Sequence, residues 1–244
     1  MHREIHSWWS HRLHREMPVA VYGHYGFALL MLPTAAADYL EYERFQLIES
    51  IRWFIDSGKV KVFSINSVND ETWFRDWASP HDKSARHETY NHYVYEEVVP
   101  FIRTHCQGPV PIVTTGSSVG ALHALNLFLR RADLFAGTIA MSGVYDLTYY
   151  SRGYFDDNVY FNSPAHYLPG WNDGAMLDHM RHSNIVIASG QGAYEAPHYS
   201  RHISDILHGK GVPHLLDLWG HDMTHDWPTW RNMLPHFLGT RFGG

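Results

Sequence analysis

Pro111-Ile-Val-Thr-Thr-Gly116-Ser-Ser118-Val-Gly120-Ala-Leu-His-Ala-Leu-Asn-Leu-Phe-Leu129 is the stretch that decides the fold. A short β-branched run leads into Gly-x-Ser-x-Gly and a helical apolar pattern follows, so the segment reads as strand, tight turn and helix. A serine on such a turn projects its hydroxyl beyond the sheet edge, where a base can reach one side of it and a substrate carbonyl the other. Gly116 and Gly120 suit the turn because strand and helix backbones come too close there for side chains. Ser118 is therefore the candidate nucleophile and Ser117 its neighbour. A bare Gly-x-Ser-x-Gly also arises by chance, so the rest of the chain has to supply a base, an acid and oxyanion donors.

Upstream, the apolar runs 19–22 and 28–33 flank Gly23-His-Tyr-Gly26 and read as two strands joined by a turn. The second is nearly continuous, as in a strand buried on both faces of a parallel sheet. A small-residue loop after Pro33 leads into a helical stretch that ends at Gly58, and 59–66 alternates as a strand. Residues 67–86, with Pro80 near the close, read as a surface loop with a short helix; 87–105 is helical, with a kink or break at Pro100.

Downstream, the helix after Ser118 ends near Arg130-Arg131 and a buried strand lies within 134–143. Residues 144–178 read as irregular, with turn signals at Asn162-Ser-Pro164 and Pro169-Gly170. Such an insertion is expected to cap or pack on a site, as a lid would. Strands at 185–190 and 214–220 enclose a helix at about 197–209, and a last helix spans about 228–238. This alternation predicts one α/β domain over residues 1–244, a mostly parallel central sheet with helices on both faces.

Composition narrows the function. The 244 residues can bury a substantial core without disulfides, and the single cysteine, Cys106, rules out an intrachain disulfide and a cysteine-based zinc site. A net charge of −6 without a basic cluster argues against a nucleic-acid partner. The first residues lack the apolar region of a signal peptide and no run approaches the roughly 20 apolar residues of a membrane span, so a cytoplasmic protein with no membrane partner is expected. The 20 histidines are scattered and show no His-Glu-x-x-His or comparable spacing, so the expectation is no metal and no cofactor.

A serine hydroxyl needs a base, an acid that orients it, and amides for the oxyanion, all at one sheet edge beyond the carboxyl ends of the strands. After the last strand comes Gly220-His221-Asp-Met-Thr-His225-Asp-Trp227-Pro-Thr-Trp230, and after the preceding one Gly190-Gln-Gly-Ala-Tyr-Glu195. The order Ser…Glu…His is that of the α/β hydrolases.

With Gly-Ser-Ser118-Val-Gly, Tyr160-Phe-Asn-Ser-Pro164 and Thr224-His225-x-Trp227-x-x-Trp230, the chain resembles the putative-esterase branch of the α/β hydrolases. That branch includes S-formylglutathione hydrolase, enterochelin esterases and mycobacterial mycolyltransferases. The anchors run from about Leu29 to Trp230. The resemblance implies an α/β-hydrolase fold and a serine hydrolase acting on small acyl esters or thioesters, without cofactor. It implies Ser118 as nucleophile, His225 as base, with His221 of the Gly-His-Asp variant as rival, and Glu195 as acid, with Asp146 and Asp217 as rivals.

The backbone amides of Val119 and Ala35 are the implied oxyanion donors, although Pro33-Thr34 stands where many relatives carry glycine, which puts the shape of that loop in question. Trp73, Trp77, Tyr160, Phe161, Trp171 and Trp227 are candidates for lining an acyl pocket and equally for ordinary packing. Acyl transfer to an alcohol or thiol uses the same triad, and a non-catalytic binding member of the fold is the reading from another class.

Overall fold

The computed structural model describes residues 1–35 and 37–243. Along the chain run β1 (Arg3–Ser10), β2 (Arg15–Tyr22), β3 (Phe27–Leu32), α1 (Glu41–Arg44), α2 (Leu47–Ser50), α3 (Arg52–Asp56), β4 (Val60–Ile65), a 3₁₀ turn (Asn69–Glu71), α4 (Pro80–Tyr93), a π-helical turn (Val94–Val98) and α5 (Val99–His105). There follow β5 (Ile112–Ser117), α6 (Val119–Arg130), β6 (Gly137–Met141), α7 (Thr148–Ser151), α8 (Asp157–Phe161), α9 (Pro164–Gly170), α10 (Gly174–Arg181), β7 (Asn184–Ser189), α11 (Pro197–Gly209), β8 (Leu215–Leu218) and α12 (Trp227–Arg241). Among the described residues no helix is long and apolar enough to cross a membrane.

The strands form one sheet in the order β1-β2-β4-β3-β5-β6-β7-β8. From β4 to β8 neighbours are parallel, while β1 and β2 pair antiparallel and β2 runs antiparallel to β4. Side chains alternate between the two faces along each strand, so each face builds its own core. Leu30 and Leu32 of β3 join Leu122, Leu125 and Phe128 of α6 on one side; Leu29 and Met31 join Met233, Leu234 and Phe237 of α12 on the other. This is the α/β-hydrolase arrangement, and it sends the ends of β3, β5, β6, β7 and β8 to one common edge.

Four sequence expectations change. The turn at 23–26 links β2 to β3, but the two are not neighbours, because β4 lies between them. The helical stretch before Gly58 is three short helices, with Gln46 in the left-handed region (φ 62°) ending the first turn and starting the second. Residues 144–178 are largely helical. Each helix there is so short that a 3.6-residue period barely shows, and the Asp156 and Asp173 side chains cap α8 and α10. Finally, β1 was not expected: its only inward apolar residue is Trp8, beside Glu4, His6 and Ser10. At Pro100 the break is real, and the π-helical turn just before it absorbs the missing N–H and the ring's clash with the preceding turn.

A polar knot fastens the 144–178 segment to the sheet-covering helices. Glu88 of α4 takes two hydrogen bonds from Arg130 of α6 (2.6 and 2.8 Å) and one from Asn162 Nδ2 (2.9 Å), whose Oδ1 accepts from Asn126 of α6 (2.8 Å). Burial pushes the Glu88 carboxyl up, but the Arg130 hydrogen bonds and charge outweigh it and hold the group down at about 2. A carboxyl depressed in the folded state contributes stability that is present above its unfolded value of 4.5 and lost as pH falls toward 2. Glu88→Gln should therefore be less stable than wild type at neutral pH. The gap should close by roughly 2–3 kcal/mol as pH drops from 5 to 2. Denaturant midpoints across that range check it, and a gap independent of pH would refute the assignment.

Candidate active site

The elbow between β5 and α6 rests on close backbone contact. A Cβ on Gly116 would stand 2.4 Å from the carbonyl of Gly120, and one on Gly120 would stand 2.4 Å from the Leu32 oxygen and 2.7 Å from the Pro33 oxygen. Only glycine lets the first turn of α6 sit this close to both β5 and the end of β3. The chain reverses through Ser118 at φ 57°, ψ −125°, a conformation that costs a non-glycine residue about 1–3 kcal/mol. Its amide donates to the Met141 carbonyl at the end of β6 (3.0 Å).

Ser117 is unlike its neighbour: it is fully buried and its hydroxyl has no partner among the described residues. Its amide donates to the Tyr42 hydroxyl (3.3 Å), which donates to the Leu32 carbonyl. Tyr42 thus bridges β3 and the elbow, and burial keeps its phenol protonated by pushing its pKa well up.

Glu195 and His225 come from two loops zipped together by backbone. The Gly192 amide donates to the Met223 carbonyl (2.9 Å) and the His225 amide to the Ala193 carbonyl (3.0 Å). At Gly190 a Cβ would lie 2.1 Å from the Met223 oxygen, so the loop after β7 must be bare there. This brings His225 Nδ1 to 3.3 Å from Glu195 Oε2.

The Glu195 side chain is completely covered and also accepts from Ser142 Oγ (2.6 Å), Ser189 Oγ (3.1 Å) and the Gly190 amide (3.3 Å). Burial alone would raise its pKa, but the hydrogen bonds from His225, Ser142 and Ser189 together with the His225 charge outweigh it and leave the carboxyl below its usual range. An ionised carboxylate only accepts, so Nδ1 of His225 carries a proton and a neutral ring presents the lone pair at Nε2. Among the described residues no hydrogen bond joins His225 to Ser118 Oγ; such contacts often close only around substrate.

His221, the rival base, is exposed and donates Nδ1–H to the Gln191 carbonyl (3.2 Å), away from any carboxylate. Asp146 accepts from Thr148 at the start of α7, and Asp217 accepts from Trp219 Nε1 (3.1 Å). Neither meets a histidine of the two zipped loops. Trp227 stacks on Phe45 beside His225, with ring centroids 4.4 Å apart. Tyr160, Phe161 and Trp171 instead line a cleft of about 340 Å³, and Phe161 and Trp171 share a second cleft with Arg130 at the far end of α6, roughly 18 Å along the helix from Ser118. Trp73 is a core residue that donates to His87 Nδ1 (3.0 Å), and Trp77 lies exposed under Arg75.

The loop after β3 is held from three sides although it lacks the usual glycine. The Thr34 amide donates to Glu41 (2.8 Å), the Ser67 hydroxyl to the Ala37 carbonyl (2.6 Å), and Asn69 Nδ2 to the carbonyls of both Thr34 (2.8 Å) and Ala35 (2.7 Å). In a trans peptide N–H and C=O point opposite ways, so tying the Thr34 carbonyl to Asn69 aims the Ala35 N–H away from Asn69. Asn69 Oδ1 in turn accepts from His123 Nε2 (2.9 Å), and burial lowers the pKa of that histidine to about 4, keeping it neutral.

Sequence reasoning passed over Asn69, Tyr42 and Ser142. Each acts through a contact distant in sequence that no local pattern announces. Ser142 also accepts from Trp230 Nε1 (3.0 Å), whose ring meets His225 edge-on at 5.2 Å, so Trp230 and Glu195 share one hydroxyl.

The chain belongs to the family described as "Putative esterase", which matches residues 10–239, and it is an esterase, a carboxylic ester hydrolase. Its fold is similar to that of a ferulic acid esterase (TM-score 0.77, 17% identity, 99% of this chain and 98% of the other covered). It is also similar to an S-formylglutathione hydrolase from Agrobacterium tumefaciens (0.75, 15%, 99% and 94%). A third likeness is to fluorophosphonate-binding serine hydrolase F from Staphylococcus aureus (0.68, 16%, 98% and 97%). No curated protein matches the sequence.

Proposed function

We propose that the chain is a serine esterase that cleaves small acyl esters or thioesters through an acyl-enzyme, with Ser118 as nucleophile, His225 as base and Glu195 as the acid that orients it. The observation that carries this reading is the pairing of His225 with the buried Glu195 at the strand edge where Ser118 turns outward. Ser118 Oγ attacks the carbonyl carbon while His225 Nε2 takes its proton; the imidazolium, held by Glu195, then protonates the leaving alcohol or thiol. Water, activated by the same nitrogen, releases the acid. In this reading the amides of Val119 and Ala35 receive the oxyanion: Val119 opens α6, and Ala35 lies on the loop whose start packs on Gly120. The 144–178 segment belongs to the same domain and acts as a fixed shoulder, since Asn162, Tyr145, Tyr167 and Leu168 are buried against its neighbours.

On one p-nitrophenyl ester, Ser118→Ala and His225→Ala should each lower kcat by up to ~10⁶. Glu195→Gln should cost less and His221→Ala little. An inactive His221→Ala beside an active His225→Ala would contradict the assignment.

Asn69→Asp keeps the shape of the side chain but cannot donate to two carbonyls. In protein shown folded by circular dichroism it should lower kcat by roughly 10²–10³, the usual loss for one oxyanion donor, with KM little changed. Wild-type kcat in this variant would remove Ala35 from the proposal.

A further inference from the structure

The sheet's opposite end carries a second cluster of chemically competent side chains. Glu4 and His6 alternate along β1, so the two-residue period of a strand turns both to one face, and the exposed His2 just before the strand reaches the same carboxylate. This is the inward face: the His6 ring meets Phe101 at 5.3 Å and His105 edge-on at 5.0 Å. His105, the last residue of α5, thereby reaches back to the strand. Glu4 Oε2 stands 2.7 Å from His6 Nε2 and 3.0 Å from His105 Nε2, and the other Glu4 oxygen is hydrogen-bonded to His2 Nε2. One ligand atom from each of Glu4, His6 and His105 lies within 4.8 Å of the others.

We propose that Glu4, His6 and His105 form a zinc site that clamps the edge strand β1 to α5, with His2 or water completing the coordination. Imidazole nitrogen and carboxylate oxygen are the donors zinc takes, and bonds of about 2.0–2.2 Å to a tetrahedral ion set its ligands roughly 3.3 Å apart. The 2.7 and 3.0 Å Glu4 contacts would open by about 0.3–0.6 Å, and the His6 and His105 nitrogens, within 4.8 Å of each other, would converge on the ion as it replaces the bridging protons. Glu4 and His6 are each about one-third exposed, which allows that movement and gives the ion access. The clamp meets a structural need: among the described residues β1 pairs with β2 alone, and its inward face holds little apolar surface beyond Trp8. The cluster is remote from the carboxyl edge, since His105 shares a cavity with Gly26, Phe27 and Pro111, at the beginnings of β3 and β5.

The test uses the untagged full chain, stripped with chelator and desalted, and titrated with Zn²⁺ against a chromophoric competitor. Wild type should bind one ion per chain with a raised Tm, and Co²⁺ in its place should give the intense visible bands of a tetrahedral site. His6→Gln and the double variant His6→Gln/His105→Gln, shown folded by circular dichroism, should lose the Co²⁺ bands and the Tm rise and bind at least roughly tenfold more weakly. Ester hydrolysis should be equal with and without zinc. The absence of saturable binding by wild type, or equal binding by the double variant through other histidines, would overturn the proposal.

Discussion

The contact on which everything else depends is the one between Gly120 and the carbonyls of Leu32 and Pro33. A helix that begins directly after β5 must pass within backbone distance of β3, and any side chain at 120 would push the two apart. Because they touch, the loop following β3 and the first turn of α6 lie side by side. The strained backbone of Ser118 persists because it is surrounded: its amide is bonded to β6, Tyr42 pins the residue before it, and Gly116 packs on Gly120.

From that point the end of β6 links the two halves of the site. Met141 accepts from the Ser118 amide, and the next residue, Ser142, donates its hydroxyl to Glu195 while accepting from Trp230. A buried carboxylate without such donors would take up a proton; with them it stays charged and can orient an imidazole. Polar groups buried here are thus satisfied mutually, and removing one exposes the next to an unpaired burial cost.

Much of this was legible in the sequence because the relevant signals are local. The strand–turn–helix around Ser118, the helix starts at Pro197 and near Pro228, and the long apolar run of β3 each announce themselves within a dozen residues. His225 and Glu195 were legible as loop residues following adjacent strands. What stayed hidden depends on partners far along the chain. β1 is too polar on its inward face to read as a strand, and its contacts with α5 explain that polarity. The short helices of 144–178 take their form from packing on α4, α6 and α11. Asn69 looked like one polar loop residue among several, and its importance lies in two carbonyls more than 30 residues upstream.

In the proposed mechanism Ser118 alone is the activated hydroxyl, held outward by a backbone that turns Ser117 into the core. Incubation of the native enzyme with a fluorophosphonate probe, followed by peptide mapping, tests this most directly. The expected result is stoichiometric phosphonylation of Ser118 with Ser117 unmodified. Label on Ser117, or a folded enzyme that hydrolyses esters yet resists the probe, would contradict it.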